Sequence, residues 1–182
     1  MKIKEFFSSD HQDFWIDKIK ECDWGAGQWL AELLTRNKLQ ETVGSGALVP
    51  MLTEREELIS FCTFAPLDEI QPTELSPWIG FVYTFPKYRG HRYAGVLLDW
   101  CECMATVMGK DSIYISTDHV GLYEKYGYEF SNTGITVSGE ESRVYKKVLS
   151  VPSEERELRM EKGDKWKAEI VFAAINTDLQ FL

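Results

Sequence analysis

A short basic segment carries the side chains best suited to binding an anion. Residues 75–98 contain no Asp or Glu, although the chain as a whole has 29 acidic residues and 20 Lys or Arg residues. Within this stretch Lys87, Arg89, His91 and Arg92 lie close together, next to a glycine. If a helix begins here, its free amides and positive dipole end add to these charges. The segment therefore predicts an anion site, for which a pyrophosphate would be a fitting ligand. A basic surface turn is the alternative interpretation.

The hydrophobic pattern places this basic segment between a strand and a helix. Residues 78–85 form an apolar and aromatic run, and Pro86 ends its regular pairing because proline has no amide donor. From His91 or Arg92 the apolar residues recur at helical spacing, and Gly109 is a plausible C-terminal stop. The apolar stripe comprises Tyr93, Val96, Leu97, Trp100, Cys101, Met104 and Met108. The basic residues are thus expected at a strand-to-helix turn.

A second segment of interest lies at residues 122–130, with the sequence Leu-Tyr-Glu-Lys-Tyr-Gly-Tyr-Glu-Phe. Its pattern predicts a short helix over 122–126 that Gly127 ends. Three short strands are predicted around it, over residues 112–117, 128–137 and 143–149. The second segment therefore returns the chain to the same sheet as the strand at 78–85.

The N-terminal half supplies the remaining elements. These are a strand over 2–7, a helix from Asp10 to about Asp23, a break at 25–27, a helix through Trp29 to about Gln40, and an antiparallel hairpin formed by 47–52 and 58–64. Their spacing places Trp15, Trp24 and Trp29 mostly in the core. Strands followed by helices and then by more strands predict an α/β (α+β) fold with a mixed sheet flanked by helices.

Together the two segments resemble the GCN5-related N-acetyltransferase (GNAT) family. The cofactor motif of that family is Gln/Arg-x-x-Gly-x-Gly/Ala. Arg89 matches its first position and Ala94 its last, whereas Arg92 stands in place of the middle glycine. Gly90 and Gly95 flank the turn.

The second segment resembles the Leu-Tyr-x-Lys-x-Gly-Phe motif of the same family. Leu122, Tyr123, Lys125 and Gly127 match by position, and Tyr128 stands where Phe is common. The resemblance covers residues 1–149 in the order of elements and 81–130 in motif. It implies a GNAT-like fold with a mixed, mostly antiparallel sheet of about seven strands.

The resemblance further implies an enzyme that uses acetyl-CoA as acetyl donor. The acetyl group would pass to a primary amine, most simply that of a small molecule, by direct attack. In this family the strand before the cofactor loop splays from its neighbour at a bulge, and the pantetheine arm lies in the gap. The implied cofactor-binding residues are Tyr83, Thr84 and Phe85 along the strand, then Arg89, Gly90, His91, Arg92, Tyr93, Ala94 and Gly95 around the pyrophosphate.

By the same resemblance Tyr123 is the general acid that protonates the departing thiolate. The acceptor pocket is expected between the first two helices, where Trp24 and Gln28 are candidate substrate-binding residues, together with Asp118. The general base stays open among Glu74, Asp118, His119 and Glu129.

Composition restricts the partners. The net charge of −9 and the pI of about 4.9 argue against nucleic-acid binding and are compatible with attraction of cationic small molecules. No apolar run reaches the ~20 residues of a membrane span, and the N-terminus lacks a signal peptide, so we expect a cytoplasmic protein. The four cysteines are expected to be buried free thiols rather than metal ligands.

Residues 1–149 are predicted to form the acetyltransferase domain and residues 150–182 a C-terminal extension. The extension would cover the acceptor site or contact a second copy in a homodimer. Two alternative functions stay open at this point: a non-catalytic sensor or interaction protein that binds acetyl-CoA, and an enzyme that acetylates proteins or peptides.

Overall fold

The computed structural model describes residues 1–149, and the predicted extension at 150–182 lies outside the described residues. The strands are β1 (Lys2–Glu5), β2 (Pro50–Glu54), β3 (Glu57–Ala65), β4 (Trp78–Thr84), β5 (Ser112–Thr117), β6 (Glu129–Ile135) and β7 (Glu141–Val148). The helices are α1 (Gln12–Lys20), α2 (Gly25–Thr35), α3 (Leu39–Val43) and α4 (Tyr93–Val107).

The seven strands form one sheet in the order β1-β2-β3-β4-β5-β7-β6. Neighbouring strands run antiparallel except β4 and β5, which run parallel. The structure thus confirms the predicted mixed, mostly antiparallel sheet with flanking helices. Since β4 and β5 are joined by α4, they form the one βαβ crossover among the described elements.

Two hydrophobic clusters pack on opposite faces of this sheet. Alternate residues of the strands divide between them: Leu52 and Ile59 belong to the cluster under α4, whereas Met51 and Leu58 belong to the cluster under α1, α2 and α3. The α4 helix contributes Leu97, Leu98, Trp100, Cys101, Met104 and Ala105, all buried. The predicted apolar stripe of α4 is therefore confirmed apart from its last member, Met108, which is exposed.

The start of α2 departs from the sequence prediction. Residues 25–27 were expected to form a non-helical break between two helices. Gly25 instead begins the second helix, directly after Trp24, whose backbone is extended. A Cβ atom at Gly27 would lie 2.6 Å from the Cys22 sulfur, so this glycine permits close packing of the helix on the preceding loop. The helix ends at Thr35 rather than near Gln40, because Asn37 adopts a positive φ of 55°.

Other expectations need smaller corrections. Asp10 does not cap α1, whose N-cap is His11. Trp15 is buried as predicted, whereas Trp24 and Trp29 are 37% and 48% exposed and lie outside the core. Cys22, Cys62 and Cys101 are buried thiols, but Cys103 is exposed. Within residues 1–149 no helix combines the length and hydropathy that a membrane-spanning segment requires.

Two helix glycines offer a matched test of the packing between α4 and the 122–130 segment. A Cβ atom at Gly95 would lie 2.6 Å from Cε1 of Tyr126, whereas nothing lies within 4 Å of one at Gly25. We expect Gly95→Ala to lower the free energy of unfolding by about 1–3 kcal/mol, because the Tyr126 ring must move. Gly25→Ala should leave stability unchanged or raise it by up to about 1 kcal/mol. Urea denaturation of both variants is the measurement, and equal effects would contradict the packing argument.

Candidate active site

The cleft of the domain opens where β4 and β5 separate. The two strands form a single ladder pair, Trp78 with Tyr114, and make no further pair along their described lengths. The gap between them holds a cavity of about 570 Å³. Its lining comprises Asp23, Trp24, Val82, Tyr83, Thr84, Arg89, Ala94, His119, Leu122, Tyr123 and Tyr126. Both sequence motifs therefore contribute side chains to one cleft.

A β-bulge in β4 sharpens this separation. Opposite β3, Phe61 pairs with Tyr83 and Thr63 with Gly80, so β4 has one more residue than its partner over this stretch. Phe81 takes up the irregularity with a positive φ of 51°. A bulge frees peptide groups from the ladder, and Val82, the residue after Phe81, lines the cleft.

The basic turn lies at the N-terminus of α4. Among the described residues, the amides of residues 90–94 donate to no other group, whereas the Gly95 amide donates to the Arg92 carbonyl over 2.9 Å. A 15-residue helix thus presents free amides at its positive end, beside the exposed side chains of Arg89 and Arg92. This arrangement is suited to a pyrophosphate.

Arg92 occupies the motif position where a glycine is expected. Its backbone adopts the left-handed conformation, with φ of 60° and ψ of 24°, and forms the N-cap of α4. Glycine adopts this conformation at little cost, which explains the preference for glycine at such a turn. The turn therefore keeps its geometry in this chain, with an exposed cationic side chain added.

Tyr123 lies across the cleft at the start of a 3-10 helix, Tyr123–Tyr126, that Gly127 ends with a φ of 83°. The Tyr123 side chain is buried and packs at 6.2 Å from the ring of Tyr128 and 6.4 Å from that of Tyr145. Its hydroxyl makes no hydrogen bond with any described residue, although its ring lines the cavity. Burial, followed by nearby charges, raises its pKa, so this phenol stays protonated at neutral pH and can act as a donor.

A network that the sequence did not predict ties the α1–α2 loop to the cleft. The Tyr83 hydroxyl donates to Oδ1 of Asp23 over 2.5 Å, and the Asp23 amide donates to the same hydroxyl over 3.3 Å. Arg89 Nη2 lies 3.6 Å from Asp23 Oδ1, and Arg89 Nε donates to the Thr84 carbonyl over 3.0 Å. Burial and the bond to Asp23 raise the pKa of Tyr83. The loop before α2 is thereby fixed against β4.

A second cavity of about 430 Å³ adjoins the first, and Trp24 lines both. Its lining comprises Trp24, Ala26, Trp29, Thr42, Val43, Asp68, Glu69, Gln71, Gly80, Phe81, Ser116 and Val137. Asp68 is half-buried. Loss of hydration, followed by the charge of Glu69, raises its pKa to about 7, against the opposing effect of the hydrogen bond that Asp68 accepts from the Glu69 amide. Both cavities reach the β4 bulge, the first at Val82 and the second at Phe81.

The predicted cofactor-binding residues occupy neighbouring positions in and around the first cavity. Tyr83, Thr84, Arg89 and Ala94 line it. The others adjoin it: Phe85 packs on Tyr83, His91 stacks at 5.5 Å on Tyr93, Gly95 contacts Tyr126, and Gly90 and Arg92 form the turn.

The predicted acceptor residues are divided. Trp24 lines both cavities, but Gln28 donates from Nε2 to the Cys22 carbonyl and lies outside both linings. Asp118 is exposed and also lies outside them, while its neighbour His119 lines the first. No group of three His, Cys, Asp or Glu residues within 1–149 is arranged as a metal site.

Asp23, Asp68, Trp29 and Phe81 were missed by the sequence reasoning. No local pattern marks them, since Asp23 and Tyr83 are 60 residues apart. The excess of acidic residues in the chain also hides the two carboxylates that matter here.

The solved structures with the same fold include aminoglycoside 6'-acetyltransferase type Ii, with a TM-score of 0.61 and 18% identity over 84% of this chain and 99% of that one. The aminoglycoside 6'-N-acetyltransferase from Enterococcus faecium gives a TM-score of 0.59 and 16% identity, over 84% and 99%. A GNAT family acetyltransferase from Elizabethkingia anophelis with acetyl-CoA bound gives 0.56 and 14%, over 81% and 97%.

At these identities the solved structures establish the fold. A sequence search among curated proteins gives no match. The family model of the acetyltransferase (GNAT) family, however, matches residues 4–128, well over half of the chain, from β1 through both motifs. It thereby confirms the class of enzyme that the motifs predicted. The chain belongs to the acetyltransferase (GNAT) family.

Proposed function

We propose that this protein transfers the acetyl group of acetyl-CoA to a primary amine of a small molecule, with Tyr123 as general acid. One observation carries the proposal: the Tyr123 hydroxyl, which has no hydrogen-bond partner among residues 1–149, lies in the cleft between β4 and β5 that also receives the start of α4. Solved structures of the same fold include an acetyltransferase with acetyl-CoA bound and enzymes that acetylate aminoglycosides, which are small amines.

The cleft has groups for each part of the donor. Residues 82–84 line the cleft where β5 no longer pairs with β4, and an extended pantetheine arm would lie along this stretch of β4 as a neighbouring strand would. The free amides at the start of α4 can receive the pyrophosphate, with Arg89 and Arg92 adding positive charge. A backbone amide at the bulge would polarise the thioester carbonyl, the role of an oxyanion hole.

The reaction then requires little further chemistry from the protein. A neutral amine attacks the thioester carbonyl, so that a C–N bond forms and the C–S bond breaks. Tyr123 donates its proton to the departing sulfur, and the proton that the new amide nitrogen loses restores the phenol. The products are the acetylated amine and free coenzyme A.

The alternative of a non-catalytic sensor rested on Arg92 at the glycine position. The left-handed backbone of Arg92 weakens that alternative, because the turn has the conformation that a glycine would give it. A thiol-release assay separates the possibilities. Cofactor binding without turnover on any amine would support a sensor, and turnover on peptides alone would support a protein acetyltransferase.

Replacement of the Tyr123 hydroxyl tests the general acid. We expect Tyr123→Phe to lower kcat by about 10²- to 10⁴-fold, since the thiolate loses its proton donor. Affinity for acetyl-CoA should be nearly unchanged, because the ring keeps its packing. Steady-state thiol release and calorimetric titration are the measurements. Tyr126→Phe, in the same cavity, is the control that should retain turnover, and an unaltered kcat in Tyr123→Phe would remove the assignment.

Arg89 can be tested against a neighbouring lysine. Arg89 lines the cleft, whereas Lys87 makes its ion pair with Glu57, 2.6 Å apart, and lies outside the lining. We expect Arg89→Gln to weaken coenzyme A binding by about tenfold through loss of a charge-assisted contact, and the loss should shrink as salt is added. Lys87→Gln removes the same charge and should bind coenzyme A nearly as the parent does. Equal affinities for the two variants would place Arg89 away from the phosphates.

A further inference from the structure

The second cavity is placed to receive the attacking amine. It meets the reaction cleft at Trp24 and reaches the β4 bulge from the other side, at Gly80 and Phe81. An occupant of this cavity would therefore have one end at the bulge, where the thioester carbonyl is expected. Its volume of about 430 Å³ lies within the usual range for a small-molecule site.

Aromatic rings form much of its wall. Trp24 stacks on Tyr83 with the planes 6° apart and the centroids 6.0 Å apart, and Trp29 packs on Phe81 at 5.6 Å. Trp24 and Trp29 are nevertheless 37% and 48% exposed. Large exposed rings that a neighbour fixes in place are typical of surfaces that bind apolar ligands.

The only charged side chains in the described lining are acidic. Asp68 and Glu69 line the cavity, and no Lys, Arg or His does. Glu69 accepts a hydrogen bond at Oε1 from the Ser116 hydroxyl over 2.7 Å. Asp68 Oδ1 accepts from the Glu69 amide over 2.7 Å, whereas Asp68 Oδ2 has no hydrogen-bond partner among the described residues.

Gly80 makes room for that carboxylate at the bulge. A Cβ atom at position 80 would lie 2.8 Å from Asp68 Oδ2 and 3.0 Å from Thr63 Oγ1. The Asp68 oxygen thus packs against the β4 backbone one residue before Phe81, which carries the bulge. This position puts an unpartnered carboxylate oxygen beside the predicted reaction centre.

From this geometry we infer that the second cavity binds an amine with an apolar, ring-sized body, and that Asp68 holds its ammonium group and accepts its proton. The aromatic walls suit an arylalkylamine better than a polyhydroxylated polycation, which would bury its hydroxyl groups against indole rings. The inference rests on the proposed acetyl transfer and adds to it the class of acceptor and the base.

Asp68 would accept the proton that the ammonium group of the acceptor must lose. The ammonium form of the acceptor has no lone pair, so it must lose one proton before it attacks. Asp68 takes that proton as a carboxylate and later returns it to solvent. Burial brings the pKa of Asp68 to about 7, and the titratable groups that face it are Glu69 and, across the bulge, Tyr123. Both forms of Asp68 are thus populated near neutral pH.

The first test compares acceptors with the full chain. Phenethylamine and tryptamine should give kcat/KM values at least about tenfold higher than spermidine and kanamycin. The reason is that only the first two amines have an aromatic ring to pack against the aromatic wall of the cavity. Thiol release with acetyl-CoA is the measurement. A preference for spermidine or kanamycin would overturn the inference while leaving the proposed acetyl transfer intact.

Variants locate the site. Trp29→Ala should raise KM for phenethylamine, and Trp29→Phe should restore it. Asp68→Asn should lower kcat/KM for phenethylamine about 10²-fold or more and abolish its rise with pH near 7. Glu56→Gln is the matched control, since Glu56 is an exposed carboxylate between β2 and β3 and lines neither cavity. Parental kinetics in Asp68→Asn would remove Asp68 from the proposal.

A binding measurement separates failure of this inference from failure of the proposed function. Phenethylamine is titrated into the protein in a calorimeter, with and without coenzyme A, and its dissociation constant is measured. Binding that Asp68→Asn and Trp29→Ala weaken supports the amine site even if no amine turns over, in which case the acetyl transfer is what fails. Turnover of phenethylamine with unchanged binding in both variants would place the acceptor elsewhere.

The stability of Asp68→Asn gives an independent check of the titration of the Asp68 carboxyl. A pKa raised above its unfolded value means that the folded protein retains a proton that the unfolded chain has lost, so wild-type stability falls as pH rises from about 4 to about 7. Asparagine cannot ionise. The melting temperature of Asp68→Asn relative to the parent should therefore increase between pH 5 and pH 8. A constant difference across that range would contradict a raised pKa of Asp68.

Discussion

The separation of β4 from β5 is the constraint on which the rest of the structure depends. A parallel pair that continued past Trp78 and Tyr114 would close the sheet and leave no cleft. Buried, unpaired backbone groups are costly, so such an opening persists only where a ligand or water can satisfy them. Trp78 fixes the apex: it is fully buried, packs at 5.5 Å on Tyr114 and donates from Nε1 to the Leu75 carbonyl.

The bulge at Phe81 turns this opening into two compartments. An extra residue in β4 reverses which side chains face which side of the sheet beyond it. Val82, Tyr83 and Thr84, after the bulge, line the first cavity, while Gly80 and Phe81 line the second. In the reaction proposed above, this irregular stretch of strand would separate the acetyl donor from the amine and bring their reacting groups to the same point of β4.

Charge is distributed in the same way. The first cavity has a helix N-terminus with Arg89 and Arg92 beside it, and the second cavity has Asp68 and Glu69. An anionic cofactor and a cationic amine would each meet the complementary sign. Asp23 lies at the boundary, where its bonds with Tyr83 and Arg89 connect the α1–α2 loop to the cofactor turn.

The sequence alone determined the order of elements, the strand-to-helix turn at 89–94, the tyrosine motif and hence the family. These features are local: hydrophobic period, proline and glycine positions, and short motifs report on residues that are near one another along the chain. It did not reveal that Trp24 and Trp29 leave the core, or that Asp23 meets Tyr83. Nor did it single out Asp68 among 29 acidic residues. Those facts depend on which distant segments pack together and on the register of β3 against β4, where a single extra residue decides which side chains reach the cleft.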